Sequence, residues 1–216
     1  MNNSAFADGG NLANFDFFQP QPDRDSQLLE QLGFIPGLKE ILMLRQVHAL
    51  EHATVWILSN SESASKNYLN ATNLELKDNE EIGGLSTEKG FYLYGEIDPL
   101  KLKRAVSLAL NRLKQGEWNL ALHPRCGTNA SVAMFLTTGA ILTNYILIPR
   151  EPLGQLLGLG CAATVASLLA PDIGMSVQKY LTTSIPFNLK IGKIAKTVDN
   201  FGRPAHFVHV QWQNSQ

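Results

Sequence analysis

The sequence predicts an α+β fold in two parts. One is a small membrane-anchored domain with a long N-terminal helix, a βαβ-like unit and a C-terminal β-hairpin. The other is a two-helix transmembrane hairpin. Three observations predict this. Apolar residues Leu38, Ile41, Leu42, Leu44, Val47, Leu50, Val55 and Leu58 recur at helical spacing. Residues 126–149 and 153–170 contain no Asp, Glu, Lys or Arg, which favours a bilayer interior. Residues 189–198 and 205–212 alternate apolar with polar side chains, as half-buried strands do.

Composition limits the function classes. The chain has 216 residues and a formal net charge of −1, enough for one core or two small ones. A nucleic-acid binder should carry a basic face, and the charge argues against one. The charged fraction is 17% and the hydrophobic fraction 44%, so charge is scarce relative to the usual quarter or so. The 2 cysteines, Cys126 and Cys161, sit in unlike surroundings. That predicts free thiols and a reducing compartment.

Residues 1–24 are polar, with scattered Phe, Gly and Pro, and read as a disordered leader without a secretory signal. Residues 25–125 read as a helical and βαβ-like cytosolic part. Asp25 or Ser26 caps a short helix to Leu32, and a longer helix follows from Gly37 to Leu58. The polar stretch 60–90 reads as an exposed loop with turns at Gly83-Gly84 and Gly90. Phe91 to Ile97 is aromatic-rich and strand-like. Asp98 followed by Pro99 marks a helix start, and Gly116 ends that helix. Trp118 to Leu122 reads as a second strand that delivers His123 and Cys126 at its end. Tyr92, Tyr94 and Trp118 read as core or interface aromatics.

Residues 126–171 read as the transmembrane hairpin, turning at Arg150-Glu151-Pro152 and closed by Pro171-Asp172. Thr128 or Asn129 would cap its first helix. Gly154, Gly158, Gly160 and Ala162 form a small-residue face that admits a close neighbour. Cys161 reads as inert packing. The alternative is a buried hairpin in a soluble protein. Most Lys and Arg lie outside the hairpin, and the positive-inside rule then puts both termini in the cytoplasm. Residues 172–216 read as a β-hairpin packed on the cytosolic part, turning at Asn200-Phe201-Gly202.

The chemistry centres on His48-Ala49-Leu50-Glu51-His52. His48 and His52, four residues apart on a helix, lie on one face and can fill two positions of a metal's shell. His-x-x-Glu-His is also the inverted zinc-peptidase pattern. The segment His123-Pro124-Arg125-Cys126-Gly127-Thr128-Asn129 supplies the third ligand, either His123 or Cys126. Pro124 forces an extended backbone on His123 and can aim those two side chains apart. Glu51 would be the general base, a ligand, or an acceptor that orients an imidazole. The alternative is a helix with two ordinary histidines. His206 and His209 are three apart on a strand and face opposite sides, so each reads as a plain strand histidine.

Arg45 to Thr54, Gly90-Phe91 with Gly95, Gly116-Glu117 with Leu120-Ala121, and His123 to Asn129 resemble an uncharacterised cyanobacterial membrane family, the domain of unknown function 6391. The similarity runs from about Gln46 to the C-terminus and includes both apolar segments and Leu181-Thr182-Thr183. A second uncharacterised bacterial membrane family, described as metal-dependent enzymes, is similar in the two motifs only. It pairs His-Gly-Ala-Glu-His with His-Pro-Arg-Cys-Gly-Thr, and Leu50 here stands in place of its alanine. The resemblance implies an integral membrane protein of the plasma or thylakoid membrane.

Two functions remain in view. One is a membrane protein holding a divalent metal, zinc by donor type, through His48, His52, His123 and Cys126, with Glu51 as base of a metal-dependent hydrolase. The other is a non-catalytic scaffold or assembly factor whose small-residue face binds a membrane-protein partner or a second copy. In both, the bilayer is the first partner and nucleic acid is not.

Overall fold

The computed structural model describes residues 20–66, 78–147 and 151–213. The leader predicted for residues 1–24 lies almost wholly outside them. Nine elements follow in chain order: α1 (Arg24–Leu32), α2 (Leu38–Lys66), β1 (Gly83–Thr87), β2 (Gly90–Tyr94), α3 (Pro99–Lys114), α4 (Gly127–Leu147), α5 (Pro152–Val177), β3 (Leu189–Val198) and β4 (Pro204–Trp212). A 3₁₀ turn (Trp118–Ala121) precedes α4, and a π-helical turn (Gln178–Thr182) continues α5.

The strands form one antiparallel sheet in the order β1-β2-β4-β3. The C-terminal hairpin inserts beside β2, with Phe91 opposite Val208 and Leu93 opposite His206. Gly90 has φ +147° and a Cβ there would meet the Val208 carbonyl oxygen at 2.0 Å, so only glycine lets β2 and β4 approach. Helices α2 and α3 pack on the sheet. Leu102, Val106, Ala109 and Leu113 of α3 bury at helical spacing and join Val47, Leu50, Val55, Phe91, Leu93, Val208 and Val210 in one core. The Asp98 carboxylate caps α3, accepting from the amides of Leu100 and Lys101 at 3.0 and 2.9 Å. α1 docks through its buried Asp25, whose Oδ2 accepts from Gln46 Nε2 at 2.5 Å and Ser184 Oγ at 3.2 Å. Asp25 is therefore an internal anchor, and Asp23 occupies the cap position.

Several predicted elements take another form. Trp118–Leu122 is not a strand, so no βαβ unit forms among the described residues. The carbonyls of Ala121 and Leu122, which a ladder would use, accept instead from His52 Nδ1 at 2.7 Å and Trp56 Nε1 at 2.8 Å. The polar stretch 60–90 is not wholly loop: α2 continues to Lys66, and β1 forms a two-residue hairpin with β2. Residues 67–77 lie outside the described residues. α4 starts at Gly127, so Cys126, not Thr128 or Asn129, stands at its cap. Pro171 does not close the second apolar helix, which runs on to Val177. A helix can pass a proline when packing on its neighbour outweighs the missing hydrogen bond, and here Gly174 lies against Asn129.

α4 and α5 are each long and apolar enough to cross a membrane, with only 6% and 11% of their apolar windows buried. A helix in a water-soluble core is mostly covered. Here Phe135, Ile146, Leu153 and Leu168 are exposed. The small-residue positions of α5 recur every four residues as Gly154, Gly158, Ala162, Ala166, Ala170 and Gly174, and form its less exposed side. That stripe is where α5 packs on α4, with Asn144 Nδ2 donating to Gln155 Oε1 at 2.9 Å across the pair. A Cβ at Gly174 would come within 2.4 Å of Asn129 Oδ1. Gly174→Leu is expected to destabilise the detergent-solubilised protein by about 1–3 kcal/mol through overpacking. A thermal unfolding midpoint equal to wild type would contradict this.

Candidate metal centre

The site is built where α2, the 3₁₀ turn and the foot of the apolar hairpin meet. From Val47 to Leu58, α2 is enclosed almost without interruption, so its polar groups must find partners inside. His48 Nδ1 lies 3.0 Å from the Thr182 carbonyl oxygen. His52 Nδ1 lies 2.7 Å from the Ala121 carbonyl oxygen. A carbonyl can only accept, so both Nδ1 atoms carry a proton and Nε2 is left as the ligand atom of each ring. His48 Nε2 is 3.2 Å from Cys126 Sγ. One ligand atom from each of His48, His52 and Cys126 lies within 4.8 Å of the others. The two imidazole centroids are 4.3 Å apart.

This is the arrangement of metal-ligating histidines, whose far nitrogen is held by a backbone or carboxylate acceptor. Burial pushes the Cys126 thiol up, but hydrogen bonding to His52, the charge of that ring and the Thr128 donors outweigh it and leave the pKa below its ordinary value. A thiol biased toward thiolate beside two imidazoles is a nitrogen and sulfur donor set. Such a set suits zinc.

His123 lies outside this group. The His123–Cys126 turn is closed by the Cys126 amide donating to the His123 carbonyl at 3.2 Å, and both residues line the same cavity. The His123 ring lies 4.6 Å from the Trp56 ring and 5.7 Å from that of His52. Its Nδ1 accepts from the Arg125 amide at 3.3 Å, and its Nε2 is 3.3 Å from Asp78 Oδ1. Burial lowers its pKa to about 4, so the ring is neutral at pH 7. Gln178, fully buried, grips the same turn: Oε1 accepts from the His123 amide and Nε2 donates to the His123 carbonyl, both at 3.0 Å, with Nε2 also 2.6 Å from Asn129 Oδ1. Arg125 forms a two-pronged pair with Asp78, Nη2 to Oδ1 being 2.6 Å.

Glu51, 7% exposed, lines the same cavity as the three grouped residues. Burial raises its pKa, opposed by the Ser86 hydroxyl, which donates to Oε2, and by the charge of His48. Gly84 of β1 lies directly over it, where a Cβ would come within 2.2 Å of Oε1. The cavity is about 590 Å³, and its walls combine these polar groups with Ile41, Leu44, Val55, Leu85 and Leu181. His206 and His209 lie away from it on β4. His206 is buried with neither ring nitrogen hydrogen-bonded among the described residues. Cys161 is exposed on α5.

Sequence patterns missed the carbonyls of Thr182 and Ala121, the Ser86 hydroxyl, and the roles of Asp78 and Gln178. Only Gly83-Gly84 and Leu181-Thr182-Thr183 gave a signal, the first as a turn and the second within the family resemblance.

The comparisons with known proteins agree with that resemblance. The chain is 47% identical over 201 residues to an uncharacterized protein of Picosynechococcus sp. (strain ATCC 27264 / PCC 7002 / PR-6), covering 93% of this chain and 95% of the relative. No solved structure matches. Residues 43–194 match the domain of unknown function DUF6391. That span runs from within α2 through both apolar helices into β3, and the chain belongs to the DUF6391 family.

Proposed function

We propose that this chain is an integral membrane protein whose water-facing domain holds one divalent metal, zinc by its donor chemistry, and uses it as a metal-dependent hydrolase. The observation that carries the reading is the paired imidazoles. Both are fixed through Nδ1 by backbone carbonyls, which leaves Nε2 as the ligand atom, and both stand beside one acidified thiol. Helices α4 and α5 cross the bilayer, since so poorly covered a pair has no other apolar partner among the described residues. With Lys and Arg concentrated outside the hairpin, residues 25–125 and 172–216 form the cytosolic part and both termini are cytoplasmic. The membrane is the plasma or thylakoid membrane.

His48, His52 and Cys126 would hold the metal and leave a coordination position open. When bound, the metal supplies a Lewis acid that acidifies water and polarises the bond to be cleaved. Glu51 takes the proton from the attacking water and returns it to the leaving group. A carboxyl with a raised pKa suits that exchange near neutral pH. Ser86 and Gly84 fix where its oxygens lie. His123, tied to Asp78 and Gln178, backs His52 instead of coordinating. The alternative is a scaffold that docks a partner on Gly154, Gly158, Gly160 and Ala162 of α5, of which Gly160 is exposed and the other three are half-buried.

Elemental analysis of the detergent-purified chain tests the proposal. About one zinc per chain is expected. A protein that holds no divalent ion even after incubation with zinc and dialysis would refute it.

A further inference from the structure

A second cavity, of about 490 Å³, shares Arg45 with the metal cavity, so that residue stands in the wall between them. Its apolar lining comes from Leu28, Leu122, Ile185 and Phe187, while Arg24, Lys179, Tyr180 and Trp118 supply polar and aromatic groups. Its position relative to the hairpin is defined. α4 begins at Gly127, and Asn129 meets Gly174 and Gln178 of the neighbouring helix. Lys179 and Tyr180 therefore come just beyond the level at which α4 starts. Lys179 Nζ sits 5.1 Å above the Tyr180 ring. Tyr180 is 50% and Trp118 38% exposed. Exposed Trp and Tyr beside Lys are typical of the headgroup layer.

Among the described residues, the lining carries three cations, Arg24, Arg45 and Lys179, and one carboxylate, Asp25. Asp25 is buried, and its Oδ2 is taken by Gln46 and Ser184. Arg45 directs Nη2 to the carbonyls of Tyr180 and Thr183 at 3.2 and 3.1 Å, which keeps the π turn folded around the cavity. Apolar walls under cationic side chains at this level suit an amphiphile with an anionic head.

We propose that this cavity binds an anionic phospholipid of the surrounding bilayer. Its phosphate lies between Arg24 and Lys179, its glycerol region lies against Trp118 and Tyr180, and the upper part of one acyl chain lies on the apolar wall. The inference rests on the membrane reading above and is independent of the metal.

The test uses the full chain reconstituted in phosphatidylcholine bilayers. A minor fraction of the lipid is replaced by phosphatidylglycerol or phosphatidylcholine carrying brominated acyl chains, which quench nearby tryptophan. Brominated phosphatidylglycerol is expected to quench more than brominated phosphatidylcholine at equal content, with an apparent affinity about fivefold or more higher. The excess should vanish in Trp118→Phe and in the Arg24→Ala/Lys179→Ala double variant. It should persist in Lys179→Arg and in Lys190→Ala, which removes one exposed charge on β3. Equal quenching by both lipids, or an excess that survives the double variant, would overturn the assignment while leaving membrane insertion intact. Loss of the excess on adding inorganic phosphate would overturn it in favour of a soluble-anion site. No quenching by either lipid would overturn insertion and lipid binding together.

Discussion

His52→Ala is expected to abolish retention of the metal, with the chain emerging from dialysis free of zinc. The ring is 3% exposed and its Nδ1 proton is committed to Ala121, so its Nε2 is fixed in place before any ion arrives. Removing it leaves one imidazole and one thiolate. Loss of an outer partner typically weakens metal binding about 10–100-fold, and loss of a ligand itself should cost more. His48→Ala and Cys126→Ser should behave alike. His123→Ala separates this geometry from one in which His123 coordinates. The His123 ring is buried against Trp56, so that variant should lose thermal stability through the void it leaves but keep its zinc. Zinc lost from His123→Ala and kept in Cys126→Ser would reverse the ligand assignment. Binding should also weaken as pH falls, because the Cys126 thiol must be deprotonated to coordinate.

How far the sequence disclosed this arrangement depends on the range of the interactions involved. α3 was legible from end to end because its signals are local: an Asp-Pro start, a buried stripe and Gly116. The apolar helices and the C-terminal hairpin were legible for the same reason. Trp118–Ala121 misled because two adjacent residues, Leu120 and Ala121, are both buried. The backbone carbonyls of Ala121 and Leu122 serve side chains of α2, a demand that no local pattern encodes. β1 was hidden because Gly83 and Gly84 read as a turn, whereas the second glycine is small to admit Glu51. At the site, the two motifs pointed to residues that line one cavity, His48, Glu51, His52, His123 and Cys126, but spacing could not say that Cys126 and not His123 groups within 4.8 Å of the paired imidazoles. That choice depends on a turn gripped by Gln178, 55 residues later in the chain.

Glu51→Gln is expected to keep the metal and lose about 10²–10⁴-fold in hydrolytic rate, the usual contribution of a general base. Turnover is measured across a panel of fluorogenic peptide and ester substrates. The replacement conserves shape, and its carbonyl oxygen can still accept from the Ser86 hydroxyl that now donates to Oε2. Folding and zinc content should therefore match wild type, which separates this variant from the ligand variants. What it cannot do is accept a proton. Gly84→Ala probes the same carboxyl from the other side. Its Cβ would come within 2.2 Å of Oε1, and the strand pairing of Gly84 opposite Leu93 leaves β1 little freedom to retreat. The carboxyl is then displaced while His48, His52 and Cys126 are untouched, so zinc should stay and activity should fall. If Glu51→Gln and Gly84→Ala both retain zinc and full turnover, Glu51 is not the base, and its buried contact with Ser86 and Gly84 serves only to seat β1 on α2.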